Sequence, residues 1–140
     1  MGRGGQNTDN GAPVERRGNG SQAKGLTFPL DGRRGHQLMT AELMEQLPAI
    51  GSTDGDGQQA TVYLRLFIPG SRYTLYVTEF DGEDKDTLYG YCISPLGPDC
   101  DEWGYSSLRE LADSRHITER DLYFTPKPLA DCLKEDRHTA

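Results

Sequence analysis

The sequence predicts one α+β domain: an antiparallel β-meander of four to five strands with two short helices, preceded by a disordered N-terminal tail. Three observations carry that prediction. Residues 60 to 93 alternate apolar and polar side chains in runs separated by turn residues, which is the period of strands. Two stretches, 38 to 50 and 107 to 114, space their apolar residues at helical intervals behind a capping residue instead. Residues 1 to 35 hold nine of the 17 glycines and almost no aliphatic cluster, which leaves about 105 residues for a single folded unit. The divisions expected are a tail over 1 to 35, a body over 36 to 130 and a polar C-terminal end over 131 to 140.

The elements follow in chain order. MGRGGQNTDNGAPVERRGNGSQAKG cannot bury enough apolar surface to offset its chain entropy, so the tail is expected to stay unfolded. In LMTAELMEQLPAI, 38 to 50, Thr40 caps a short helix, Leu43, Met44 and Leu47 share its buried face, and Pro48 ends it. GSTDGDGQQ, 51 to 59, is a loop: Asp54 and Asp56 have the spacing that opens a calcium loop, but the later ligands and the closing glutamate are missing. ATVYLRLFIPG, 60 to 70, reads as a strand with Val62, Leu64, Leu66 and Ile68 on one side and Tyr63, Arg65 and Phe67 on the other.

After a turn at 69 to 71, RYTLYVTEF is an antiparallel second strand. Strict alternation places Tyr73, Leu75, Val77 and Glu79 on one face and Thr74, Tyr76, Thr78 and Phe80 on the other. DGEDKD, 81 to 86, turns into a third strand, TLYGYCI, and SPLGPDC leads to a short fourth, DEWGY. A hairpin centred near Leu96 would set Cys92 opposite Cys100 and Tyr89 opposite Trp103, making Trp103 a cross-strand anchor. Ser107 and Glu110 form a capping box for LRELADS, in which Leu108, Leu111 and Ala112 make the buried stripe. ERDLYFTPKPL, 119 to 129, is a fifth extended segment, and CLKEDRHTA is too polar and short to be ordered throughout.

Charge narrows the function classes. The formal net charge is −7, split between a tail with six Lys or Arg against three acids and a remainder with nine against 19. A body at −10 repels phosphate backbones, so direct nucleic-acid binding by the folded part is disfavoured. No apolar run approaches the roughly 20 residues of a membrane span, and no secretory signal opens the chain, so the expected setting is the cytoplasm. Three cysteines without CxxC spacing fit neither a disulfide framework nor a zinc site, and they are expected to be thiols.

YVTEFDG at 76 to 82, GYSSLREL at 104 to 111 and ERDLYF at 119 to 124, in that order and at these separations, resemble the family called domain of unknown function 2958. These are small proteins of bacterial plasmids, phages and integrative elements. The resemblance spans about residues 38 to 129; the tail and the SPLGPDC insert depart from it. It implies no mechanism, because the family has no settled activity. What it implies is a setting among antirestriction and conjugation genes, with members sometimes labelled single-stranded DNA endonucleases.

Two functional readings result. Glu79, Asp81, Glu83, Asp84 and Asp86 crowd one strand end, where converging carboxylates could hold Mg²⁺ or Mn²⁺ for phosphodiester hydrolysis, with Arg120 completing the site. The plainer reading makes 81 to 86 a solvated turn. Glu79, on the Leu75 and Val77 face, then needs a partner, and Arg120 is expected to pair with it. His116 beside Asp113 or Glu119 lacks a nucleophile, and the aromatic residues of the strands lack the cations that base-stacking surfaces carry, Arg65 and Arg72 being the only ones on the meander. The favoured reading is therefore a non-enzymatic accessory protein with no cofactor. It would bind another protein, itself DNA-binding, as an acidic mimic of DNA, with Glu83, Asp84, Asp86 and Trp103 as contact candidates.

Overall fold

Thr74–Phe80, seven residues of β-branched, aromatic and aliphatic character, is buried along its whole length and forms the middle of the fold. In this computed structural model, which describes residues 24–139, it is strand β3 of a five-stranded sheet. Chain order runs α1 (Asp31–Arg34), α2 (Ala41–Gln46), β1 (Thr61–Val62), β2 (Leu64–Phe67), β3, β4 (Thr87–Ile93), β5 (Glu102–Ser107), α3 (Leu108–Ala112), β6 (Glu119–Arg120), β7 (Lys127–Pro128) and α4 (Leu129–Thr139). The sheet order is β5-β4-β3-β2-β6, with every neighbouring pair antiparallel, and β1 pairs with β7 in a separate two-stranded ribbon. The expected α+β meander is thus present, with β6 added to its far edge.

Both faces of the sheet are covered. One carries Leu64, Leu66, Leu75, Val77, Phe80 and Leu88, packed under Leu38, Met39, Leu43, Met44 and Leu47 of the α2 region and Leu108 and Ala112 of α3. The other carries Tyr76, Tyr91, Ile93 and Trp103, packed with Val62, Phe124 and the α4 residues Leu129, Cys132 and Leu133. The local signals behave as expected. Thr40 Oγ accepts from the Leu43 N–H to start α2, and Ser107 Oγ accepts from the Glu110 N–H to start α3.

Three expectations are corrected. The first concerns β3. Val77 pairs with Gly90 but Glu79 pairs with Tyr89, so Thr78 is an extra residue, a β-bulge. One inserted residue reverses the alternation beyond it. Phe80 therefore joins the Leu75 and Val77 core, and Glu79 turns to the face of Tyr76 and Tyr89. Beside the bulge, a Cβ at position 90 would lie 2.0 Å from the Tyr76 carbonyl oxygen, so Gly90 is what lets β3 and β4 approach.

The second correction is register. Cys92 faces Glu102, Tyr91 faces Trp103 and Tyr89 faces Tyr105, a slip of two residues from the expected hairpin. The connection holds a short 3₁₀ turn, Pro98–Cys100, and is clamped by Asp101, which accepts from the Ser94 N–H and pairs bidentately with Arg72 at 2.7 and 2.8 Å. All three cysteines are free thiols; burial pushes that of Cys132 up to about 12.

The third correction lies at the two ends. Residues 24 to 35 were expected in the tail, yet Leu26 bridges to Met39 and Arg34 is buried, donating to the Thr118 and Ala112 carbonyls and pairing with Asp31. The tail expectation for residues 1 to 23 falls outside the described residues. At the other end α4 is a helix of 11 residues rather than a polar fringe. Among the described residues no helix is long and apolar enough to cross a membrane.

Candidate functional site

Glu79 sits at the base of the candidate site. Its side chain is buried, and its carboxylate accepts from the Gly51 N–H at 2.7 Å, the Thr53 N–H at 2.8 Å and the Thr53 hydroxyl. Burial works against its charge, but these donors outweigh it and hold the pKa below the usual carboxylate value. The expected pair with Arg120 is not formed. The Arg120 guanidinium donates to the Gln37 carbonyl at 2.9 Å, and its backbone N–H donates to His36 Nε2 at 3.0 Å, because β6 lies beyond β2 while Glu79 has turned toward the 51 to 59 loop. Arg120 does tie the last segment down, but to the N-terminal segment.

The acidic turn is built by its own carboxylates. Asp81 accepts from the Glu83 and Asp84 N–H groups, and Asp84 accepts from the Asp86 and Thr87 N–H groups and the Thr87 hydroxyl. Those contacts lower the Asp84 pKa, the Thr87 hydroxyl most of all. Asp86 reaches across to α3, accepting from Ser107 Oγ at 3.0 Å and the Arg109 N–H at 2.8 Å. Glu83 is exposed. Glu79 and Asp81 thus spend their oxygens on different segments. Among the described residues no three His, Cys, Asp or Glu side chains converge to hold a metal ion, and Asp54 and Asp56 stand on an exposed loop without further ligands. His116 is likewise exposed, on a turn past α3.

What the fold does bring together is an aromatic row on the Glu79 face of the sheet. Because Tyr89, Tyr91, Trp103 and Tyr105 alternate on β4 and β5, all four point one way. Trp103 stacks on Tyr89 with ring centroids 5.7 Å apart and planes 11° from parallel, and meets Tyr91 edge-on at 5.6 Å. Tyr105 tilts against Tyr89 at 4.9 Å. The row passes from cover to solvent: Tyr91 and Trp103 touch the α4 cluster, whereas Tyr105 is 68% exposed. Over it, the loop fastened by Glu79 completes a cavity of about 310 Å³ lined by Thr53, Asp54, Gly55, Gly57, Ala60, Tyr89 and Trp103. Burial raises the Tyr89 pKa, and Tyr105, Glu79 and Asp54 add to the shift, the mark of a negative environment.

Sequence reasoning singled out Glu79 and the neighbours Tyr89 and Trp103, which do stack though not as a direct cross-strand pair, but not Thr53 or Asp54 as their company. The signal for the loop was present in its glycines, since Gly51, Gly55 and Gly57 all take positive φ, which frees the backbone to fold over the sheet. The signal for the row needed only the even register parity of β4 and β5.

Fold and site together define a small acidic α+β protein whose most developed surface is an aromatic sheet face under a carboxylate-held loop. The chain belongs to the family described as protein of unknown function (DUF2958), whose model matches residues 38–139, as the motifs led us to expect. No curated protein and no solved structure matches it.

Proposed function

We propose that this chain is a non-catalytic accessory protein that binds another protein through the aromatic row of β4 and β5 and the acidic groups around it. The carrying observation is Tyr105, 68% exposed at the open end of a row whose other rings are stacked and fixed. Rigid aromatic rings at a sheet edge give contact area at small entropic cost. Asp54 on the loop is exposed and lines the same face with Tyr89 and Trp103, a charge suited to a basic, DNA-binding partner. The setting of this reading is a mobile genetic element, with the chain in the cytoplasm as an antirestriction-type mimic of DNA. The carboxylates of the turn favour it over the endonuclease reading, since Asp81, Asp84 and Asp86 are each engaged by backbone N–H groups.

The test has two arms. Tyr105→Ala should abolish a salt-sensitive stoichiometric complex with the native partner, seen by size exclusion, while melting temperature holds. In the second arm, wild-type protein should leave single-stranded DNA intact in Mg²⁺ or Mn²⁺. Metal-dependent cleavage that Glu79→Ala with Asp81→Ala removes, at an unchanged melting temperature, would overturn the proposal in favour of the nuclease.

A further inference from the structure

We infer that the cavity over Tyr89 and Trp103 is a receptor for one cationic side chain of the partner, an arginine; this rests on the protein-binding reading. Its walls are two aromatic rings within 11° of parallel, whose faces carry negative charge density and attract a cation. Asp54 lines the same cavity and supplies a formal negative charge at the rim. A second carboxylate lies one residue behind the wall: Glu79, 1% exposed, held through Thr53 and Gly51. The three groups that hold it are neutral, so they fix the carboxylate without cancelling its charge, and its field reaches the cavity. The remaining rim is bare backbone at Gly55 and Gly57, where a Cβ would meet nothing within 4 Å, so the mouth is open.

Planar guanidinium suits this arrangement better than ammonium. It stacks flat on tryptophan and tyrosine faces, is weakly hydrated, and keeps edge N–H groups for the Asp54 carboxylate. A lone metal ion does not fit walls that are mostly ring and glycine, with one carboxylate among them. About 310 Å³ leaves ample room for one such side chain.

The probe is N-acetyl-arginine amide, titrated into the full chain and followed by proton–nitrogen NMR. Trp103 is the single tryptophan, so its indole N–H is an unambiguous reporter. Saturable shifts at that N–H and at the Gly55 and Gly57 amides are expected, with none from N-acetyl-citrulline amide, the neutral isostere. Asp54→Asn, at an exposed position, should weaken the probe about fivefold without unfolding the protein. No saturable shift, an equal response to citrulline, or an affinity indifferent to Asp54→Asn overturns the inference. Each of those leaves the partner-complex experiment above untouched, so the pocket and the protein-binding reading fail separately.

Discussion

Glu79 shows what a single buried carboxylate can organise. Three donors of one loop converge on it, so Glu79→Ala leaves them unsatisfied and should cost about 3 kcal/mol in denaturant unfolding, with amide protection lost over 51 to 53. Its distance from Arg120 is also measurable. A Glu79→Ala and Arg120→Ala double-mutant cycle should give a coupling within about 0.5 kcal/mol of zero, whereas an ion pair would give more. His36 supplies a second prediction. Burial, then the Arg120 guanidinium, lowers its pKa from the ordinary 6.5, with Glu119 and Asp31 partly opposing, and its neutral Nε2 accepts from the Arg120 N–H. Well above 6.5 the ring is neutral in both states and contributes no pH dependence. As pH falls below that value the unfolded chain binds the proton first, so stability declines until the lower folded-state pKa is reached. His36→Gln should flatten this part of the melting-temperature profile just below pH 6.5, ahead of carboxylate titration.

At the scale of elements, the bulge in β3 decides which residues meet. Deleting Thr78 would restore strict alternation, turn Glu79 into the Leu75 and Val77 core and take Phe80 out of it. Burying that carboxylate unpaired is costly enough that the deletion should not fold, seen as lost amide dispersion, whereas Thr78→Ser, which keeps the residue count, should fold. The sequence did carry a trace of the bulge, since strict alternation stranded Glu79 on the Leu75 and Val77 face, but that trace reads equally as a buried acid in need of a partner. β4, α2 and α3 were legible because each is specified by its own residues: alternation in TLYGYCI, Thr40 before α2, Ser107 before α3. The β4 to β5 register was not, since Asp101 sets it by reaching Arg72 on another strand. For α4, Leu129, Cys132 and Leu133 do have helical spacing, but Asp131 between them and Lys134 after them mask a stripe that only Tyr76 and Val62 make worth burying.

Over the whole molecule, the N-terminal boundary is the sharpest disagreement between composition and structure. Glycine and charge made residues 24 to 35 look like tail, while Arg34 is one of the most buried charges, joining α1 to the end of α3 and to Thr118. A chain starting at residue 36 loses that cation, the Leu26 bridge and the Phe28 contact with the core. Its melting temperature should fall by at least about 5 °C, which a thermal scan beside the full chain would measure. Of the candidate site, Trp103 and Glu79 were visible in the sequence as an isolated ring and a misplaced acid; the cavity that Trp103 lines and the Glu79-held loop closes was not, because a bulge and a loop are needed to form it. Gly90 then gives this fold an internal standard for selection experiments. With the Tyr76 carbonyl 2.0 Å from where its Cβ would be, position 90 should tolerate no replacement in a saturation library screened either for soluble expression or for phenotype. Tyr105 and Asp54, both exposed, should vary freely in the first screen and be restricted in the second, so scoring every position against glycine 90 separates the demands of the architecture from those of the biology.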